Sequence, residues 1–364
     1  MTRAENIRIL TAYYKPVPGG CCKRYFRAIN ALLEKGFAVH YLSAVKFPID
    51  HPNCFHHRLP WPEQYLDNVI FWAFFHLASP FFYTFLALKH DISHAFVFHP
   101  TYAFGLQFAR FFKNISISVF YRADHILNHE IKGTKQWIIS MERIIEIFSL
   151  KNTCVYCVSH TLSATLKSRI RSGIWRSIDV LPNDVKIEKY EHTKDSVFRL
   201  ATAGILEQRK NLEILITIMD RFKDINIRLD IYGTGPFENN LKKLVETTGL
   251  TNLVRFHGWV DRNLIWPEVD LLLMPSLHEG SPNSVLEALG SDIPVLASNI
   301  PEHREILGNL QLLDPYNPEE WYSRIREIIE DIGRKLPALR EYQDKYRDAL
   351  KFNWDDIIVS YITN

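Results

Sequence analysis

Two glutamates, Glu279 and Glu287, stand eight residues apart in the stretch Glu279-Gly280-Ser281-Pro282-Asn283-Ser284-Val285-Leu286-Glu287. The pattern predicts a helix with Ser281 as its N-cap, Pro282 at its first position and a stop near Gly290. Amides in the first turn of a helix have no intrahelical acceptor and the dipole there is positive, so residues 283–285 offer a seat for a phosphate. Glu279 precedes that turn and Glu287 lies in the second, so the two carboxylates can accept hydrogen bonds from hydroxyls on opposite sides of a bound diphosphate. Taken alone, two glutamates at this spacing read equally well as two solvated carboxylates.

Their neighbours separate these readings. Pro275, Ser276, Glu279, Gly280, Leu286, Glu287 and Ala288 spell P-S-x-x-E-G-x-x-x-x-x-L-E-A, and Pro294-Val295 follow. Here the sequence resembles glycosyltransferase family 4, retaining enzymes of the GT-B architecture whose signature is Glu-x7-Glu. Gly204-x-Leu206 with Lys210-Asn211 is similar to that family's phosphate-binding lysine loop. Ile231-Tyr232-Gly233-Thr234-Gly235-Pro236 is similar to its G-x-G-P turn, and Val254-x-Phe256-x-Gly258 to the element near the nucleotide base. The Gly19-Gly20 loop, Val158-Ser159 and Leu181-Pro182-Asn183-Asp184-Val185 follow the family's order of landmarks. Phe352-Asn353-Trp354 through Tyr361 resemble its final helix, which crosses back onto the first domain.

The resemblance implies transfer of a sugar from a nucleoside diphosphate sugar to an acceptor hydroxyl with retention at the anomeric carbon, in bacterial-type cell-surface polysaccharide or glycolipid assembly. It implies that Glu279 orients the donor sugar, that Lys210 helped by Arg209 neutralises the leaving diphosphate, and that Glu287 holds the ribose hydroxyls. Gly280, Ser281, Asn283, Ser284, Val285, Gly204, Gly233 and Phe256 would complete the donor site. Gly19, Gly20, Arg122 and Asp124 would belong to the phosphate loop and acceptor side. No metal and no resident cofactor are implied. Three positions depart from the family pattern. Ile205 stands where Arg is frequent, with Arg209 as a substitute cation. Asp184 replaces the glycine of Pro-Asn-Gly, which a left-handed Asp would tolerate. Tyr121-Arg122-Ala123-Asp124-His125 fills a loop where many members carry a histidine, and the sequence does not choose among these residues. Two other readings stand beside transfer: a further GT-B enzyme such as a nucleotide-sugar epimerase, which needs no acceptor, and a catalytically silent nucleotide-sugar binding protein.

Such residues need a scaffold, and the chain is long enough for one. Its 364 residues, 47% apolar and 23% charged, exclude disordered, collagen-like and disulfide-framework classes and favour two domains. Short apolar runs at 7–12, 37–43, 95–98, 115–120, 153–159 and 178–181 alternate with helical periodicity at 26–33, 104–111, 135–148 and 161–170. A second series has strands expected at 198–203, 227–232, 254–256, 271–275 and 294–297, and helices at 212–222, 237–248, 284–289 and 318–332. Alternating strands and helices predict parallel sheets, hence an α/β architecture of two Rossmann-like domains facing across a cleft; the resemblance implies that this architecture is GT-B. The expected boundaries are an acceptor-binding domain at 1–190, completed by a crossover helix at about 350–364, and a donor-binding domain at 191–349.

Residues 1–190 carry 23 Lys and Arg against 13 Asp and Glu, whereas residues 191–364 carry 20 against 28. An anionic partner is therefore expected at the first half. That half also holds residues 68–88, 21 positions without a charge. They read as a buried core helix or as an apolar face docked on an anionic membrane; a true span would break the sheet on either side of it. The acceptor is accordingly expected to be lipid-linked or a saccharide, with no role for nucleic acid. The start MTRAENIRIL lacks an apolar leader core, which points to the cytoplasmic side. Cys154 and Cys157 lie three apart in an expected strand, on opposite faces, and read as structural. Gly233-x-Gly235 lacks the third glycine of the dinucleotide fingerprint. Eleven of fifteen histidines precede residue 190 without metal-ligand spacing and read as scattered.

Overall fold

The computed structural model describes residues 7–13, 20–45, 48–61, 66, 69–131, 133–188, 190, 196–309 and 312–363. Two compact units emerge, Met1–Pro182 with Asn353–Asn364, and Asn183–Phe352.

In the first unit the strands are β1 (Arg8–Ala12), β2 (Ala38–Ser43), β3 (Cys54–Arg58), β4 (His94–Val97), β5 (Ser116–Tyr121), β6 (Cys154–Cys157) and β7 (Ser177–Val180). Between them run α1 (Gly20–Glu34), α2 (Val69–Lys89), α3 (Pro100–Ala109), α4 (His125–Ile131), α5 (Gln136–Leu150) and α6 (His160–Arg169). The sheet is parallel throughout, in the order β3-β2-β1-β4-β5-β6-β7. Its inner strands are buried on both faces, which is why they read as unbroken apolar runs. β3 (CFHHR) escapes that reading because an edge strand need not be apolar.

The uncharged segment becomes α2. Phe71, Phe75, Tyr83, Leu86 and Ala87 are buried against the sheet and α3. Gly105 of α3 allows the close approach, since a Cβ there would lie 2.6 Å from Ser79 Oγ. The other side of α2 stays exposed, with Leu77 at 74% and Phe81 at 77%. No described helix is long and apolar enough to cross a membrane. Core packing and an exposed apolar face thus coexist on one helix.

The second unit contains β8 (Phe198–Ala203), β9 (Ile227–Tyr232), β10 (Val254–Gly258), β11 (Leu271–Met274), β12 (Val295–Ser298) and β13 (Leu312–Leu313). The helices are α7 (Glu213–Met219), α8 (Glu238–Thr247), α9 (Arg262–Ile265), α10 (Asn283–Gly290), α11 (Pro301–Leu307), α12 (Pro318–Glu330) and α13 (Ile332–Ala349). Their sheet, again parallel, runs β10-β9-β8-β11-β12-β13. In both sheets the chain starts in the middle, winds to one edge and then resumes beside its first strand. The loops after β4, β8 and β11 therefore open at the switch points where such sheets bind ligands.

The unit boundaries fall at 182/183 and 352/353 rather than at 190/191 and about 350. Residues 183–188 are tied to α10: Asn183 Nδ2 donates to Asn283 Oδ1 (2.8 Å), and the Glu188 amide donates to the Gly290 carbonyl (2.9 Å). The chain ends in α14 (Trp354–Thr363), which returns to the first unit. Arg27 Nε pairs with Asp355 at 2.6 Å, Tyr361 stacks on Tyr156 with ring centroids 4.2 Å apart, and Ser118 Oγ donates to the Tyr361 carbonyl.

Candidate functional site

Because β8 and β11 are sheet neighbours, the loops that leave them meet. After β8 the chain passes Gly204 and enters a single 3-10 turn, Gln208–Lys210, closed by left-handed Asn211 (φ 54°). Asn211 Nδ2 donates to the carbonyls of Pro275 (3.2 Å) and Pro315 (2.7 Å), and the Leu277 amide donates to the Arg209 carbonyl (2.8 Å). These backbone ties hold the cationic turn against the loop that carries Glu279.

The side chains converge there. Lys210 Nζ lies 2.5 Å from Glu279 Oε1, Arg209 Nη1 lies 2.9 Å from Oε2, and Ser276 Oγ donates to Oε1 at 2.8 Å. Arg209 also pairs with Glu207 at 2.7 Å. The Glu279 side chain is 5% exposed. Burial alone would raise its pKa, but Lys210 and then Arg209 outweigh it and hold the carboxyl at about 2. Three donors occupy a group with about four acceptor positions, so Glu279 keeps room for one more hydroxyl donor. Two cations, Lys210 and Arg209, balance two carboxylates, Glu207 and Glu279, so the cluster carries no net charge.

α10 begins beside this cluster. Its N-cap is Pro282, one residue later than expected, and Ser281 Oγ accepts instead from Asn183 Nδ2 (3.0 Å). Ser284 Oγ donates to the Ala203 carbonyl at the end of β8 (2.6 Å). The Val285 amide already donates to the Pro282 carbonyl, which leaves the amides of Asn283 and Ser284 without an acceptor among the described residues. Val285 therefore serves as a buried packing residue rather than an anion donor. Gly280 lies in the loop ahead of the helix. Gly233 (φ 125°) abuts the lysine loop so closely that a Cβ would lie 1.8 Å from the Gly204 carbonyl oxygen.

Two further expected donor residues lie on α10 and on β10. Glu287, half-buried on α10, acts electrostatically on Tyr190, whose hydroxyl lies 2.5 Å from Glu188 Oε2; burial, then Glu188, and more weakly Glu287 push that phenol up to about 12. Phe256 occupies edge strand β10, two strands from β8, with Lys242 Nζ 5.7 Å from its ring centroid. Asp184 has no left-handed backbone, so aspartate in place of glycine there carries no strain.

Ser276 and Asn211, which the sequence shows only as members of motifs, gain the bonding roles above, and two residues on α11 that no motif marked join them. His303 is fully buried with Nδ1 2.9 Å from the Ser298 carbonyl; burial lowers its pKa to about 4, partly offset by nearby Glu279, so its ring is neutral. Glu302 is pushed up to about 7, by burial first and by Glu279 and Glu305 thereafter. The proline at position 301, the first of this helix, was a possible start signal, but α11 is only seven residues long and shows no period to support it.

In the first unit a cavity of about 710 Å³ opens at the ends of β4 and β5, lined by Tyr102, Phe98, Arg122, His99, His125 and Trp137 among others. His99 follows β4, caps α3 through Nδ1 to the Thr101 amide (3.1 Å), and meets His125 with ring centroids 3.7 Å apart. Burial and the neighbouring His125 and His76 keep His99 neutral. Arg122 lies over the Phe98 ring at 5.6 Å. Asp124 does not reach the cavity wall: it pairs with Arg169 (2.8 Å) and caps α4 through the Leu127 amide (3.0 Å). Gly20 begins α1, and Gly19 lies outside the described residues. Cys157 is buried, and its thiol is pushed up to about 12 by that burial, which makes it unreactive.

Residues 185–347 match the family model described as glycosyl transferases group 1. The O-antigen biosynthesis glycosyltransferase WclY of Escherichia coli is 33% identical over 197 residues, 50% of this chain and 54% of that protein. Across the curated relatives the matches span 21% to 54% of those proteins' lengths. The sucrose-phosphate synthase structure from Thermosynechococcus elongatus superposes with a TM-score of 0.78 at 18% identity, covering 97% of each chain. HepE from Anabaena, solved in complex with UDP and glucose, gives 0.70 at 15% identity over 98% of this chain and 97% of its own. The fold is the GT-B fold of these structures.

Proposed function

We propose that the protein is a retaining glycosyltransferase that moves a sugar from a nucleoside diphosphate sugar to an acceptor hydroxyl, in the assembly of a cell-surface polysaccharide or glycolipid. The observation that carries this reading is the convergence of Lys210, Arg209 and Glu279 beside the open first turn of α10, at the switch point of the second sheet. The group 1 match over the same residues and the UDP and glucose of HepE support it.

On this reading the diphosphate takes over part of the bonding of Lys210 and Arg209 and meets the Asn283 and Ser284 amides. These positioned charges act on the oxygen where negative charge develops as the anomeric carbon–oxygen bond breaks, and they do the work that a metal ion does elsewhere. The bonding electron pair leaves with the diphosphate. The acceptor oxygen bonds the anomeric carbon from the same face, and its proton passes to the departing phosphate oxygen. Glu279 uses its remaining acceptor position to fix a sugar hydroxyl, and Glu287 serves the ribose. The first-unit cavity with Arg122, His99 and His125 receives the acceptor. Its lipid-linked form is favoured by the exposed apolar face of α2, which docks on an anionic membrane.

A panel of UDP-, GDP-, ADP- and dTDP-sugars scored by thermal shift in excess EDTA identifies the donor. One sugar nucleotide should raise Tm by several degrees without a divalent ion. A chain that responds to none of them, or only after magnesium is restored, contradicts the proposal.

A further inference from the structure

The histidines that look scattered along the sequence include three that the fold gathers far from the site above. His40 on β2, His57 on β3 and His90 just after α2 place their ring nitrogens within 4.8 Å of one another, the one such ligand group found among the described residues. His40 and His57 lie on one face because β3 pairs in parallel with β2, with His57 opposite Leu42. The end of α2 then brings His90 over the same face. His40 Nδ1 sits 2.9 Å from His57 Nε2, and the His40 and His90 ring centroids are 4.3 Å apart.

We propose that His40, His57 and His90 bind one divalent transition-metal ion of the zinc class, which fastens the edge of the first sheet to the end of α2. Three imidazole nitrogens with a solvent molecule in the fourth position make a tetrahedral set that suits zinc, copper or nickel rather than magnesium or calcium. Nitrogens bound to zinc stand about 2.0–2.1 Å from the ion. Starting within 4.8 Å of each other, the rings need only rotate about their side-chain bonds, replacing the His40–His57 hydrogen bond by two metal bonds. His40 is buried and fixed, whereas His57 and His90 are half-buried and reachable from solvent.

The charges around the cluster set its chemistry. Burial, then His90, His57 and Arg8, lowers His40 to about 3; burial, His90, His56 and Lys89 lower His57 to about 4; burial, Lys89 and Arg8 lower His90. All three rings are therefore neutral ligands at neutral pH, and protons compete little with a metal. The two facing cations oppose an incoming ion but are turned to other partners. Arg8 Nη1 donates to the His90 carbonyl (2.9 Å), and Lys89 Nζ lies over the Phe85 ring at 5.4 Å. The inference is independent of sugar transfer.

The full chain, stripped with EDTA and desalted, is titrated with zinc chloride and analysed for bound metal. One zinc per chain is expected, with a rise in Tm. His57→Ala and His90→Ala, both at half-exposed positions, should each weaken uptake at least tenfold, while Cys54→Ser should retain it. Cobalt(II) used as a spectroscopic probe should show d–d bands without thiolate charge transfer. Failure of the wild type to retain zinc, or uptake unchanged in both histidine variants, overturns the site; a thiolate band lost in Cys54→Ser does so as well.

Discussion

Glu279 and Glu302 show how environment divides like residues. Glu279 is held at about 2 because Lys210 and Arg209 outweigh its burial; Glu302, half-buried beside other carboxylates, is pushed up to about 7. The linkage signs are opposite. Stability from Glu279 is present above the ordinary carboxylate range and is lost as pH falls from about 4.5 toward 2. Glu302 fits its site protonated, so stability is lost as pH rises through about 7. Glu302→Gln should therefore raise Tm relative to wild type at pH 8 and leave it nearly unchanged at pH 4, below the ordinary carboxylate range, a difference that thermal melts at the two pH values will read. Equal shifts at both would mean Glu302 does not titrate there. The two signature glutamates separate by a second criterion. On the proposed reading Glu279 would meet the sugar at the reacting carbon and Glu287 the remote ribose, so Glu279→Gln should mainly lower turnover and Glu287→Gln should mainly weaken nucleotide binding. Calorimetry with UDP and GDP beside initial rates distinguishes them, and equal losses of affinity would contradict the division. The signature itself was legible in sequence because Pro275 through Val295 is one continuous stretch. Ser276 as a donor to Glu279, and His303 behind it, were not legible, since each depends on how separate loops meet.

Among elements, the 3-10 turn of Gln208–Lys210 is the one that aims the cations, and Asn211 is what stops it. A left-handed backbone costs about 1–2 kcal/mol for a residue with an ordinary Cβ, and each lost hydrogen bond costs about 0.5–1.5 kcal/mol. Asn211→Ala should thus destabilise the chain by about 2–5 kcal/mol. Asn211→Gly keeps the left-handed turn but loses the bonds to Pro275 and Pro315, and should cost about half as much. Urea unfolding ranks the pair; an alanine variant as stable as the glycine variant would remove the backbone argument. Most strands were legible as buried apolar runs, with β1, β2, β5, β8 and β9 within a residue or two. β3 and β13 were not, one because an edge strand tolerates polar residues and the other because two residues carry no period. The start of α10 moved by one residue because Ser281 caps nothing and bonds Asn183 instead.

At the scale of the whole molecule, the basic excess of the first half and the exposed side of α2 act together or not at all. Leu77, Phe81 and Phe85 face solvent, while Phe74 and Phe82 pack against the core. Sequence could not separate these sets, because a helix apolar all round shows no period. Phe81→Glu with Phe85→Glu should abolish flotation with anionic vesicles at low salt and leave nucleotide binding intact, whereas wild type should float with anionic but not neutral vesicles. Wild type that stays unbound would point to a soluble acceptor.

The claim on which the account turns is that Lys210 works on the leaving diphosphate. Arg209 and Ser276 still hold Glu279 when Lys210 is removed, so Lys210→Ala should remain folded. The decisive measurement is the rate at which the identified donor is consumed by wild type and by folded Lys210→Ala in excess EDTA with acceptor present. The account predicts a fall on the order of 100-fold or more; a variant with near wild-type turnover would contradict it.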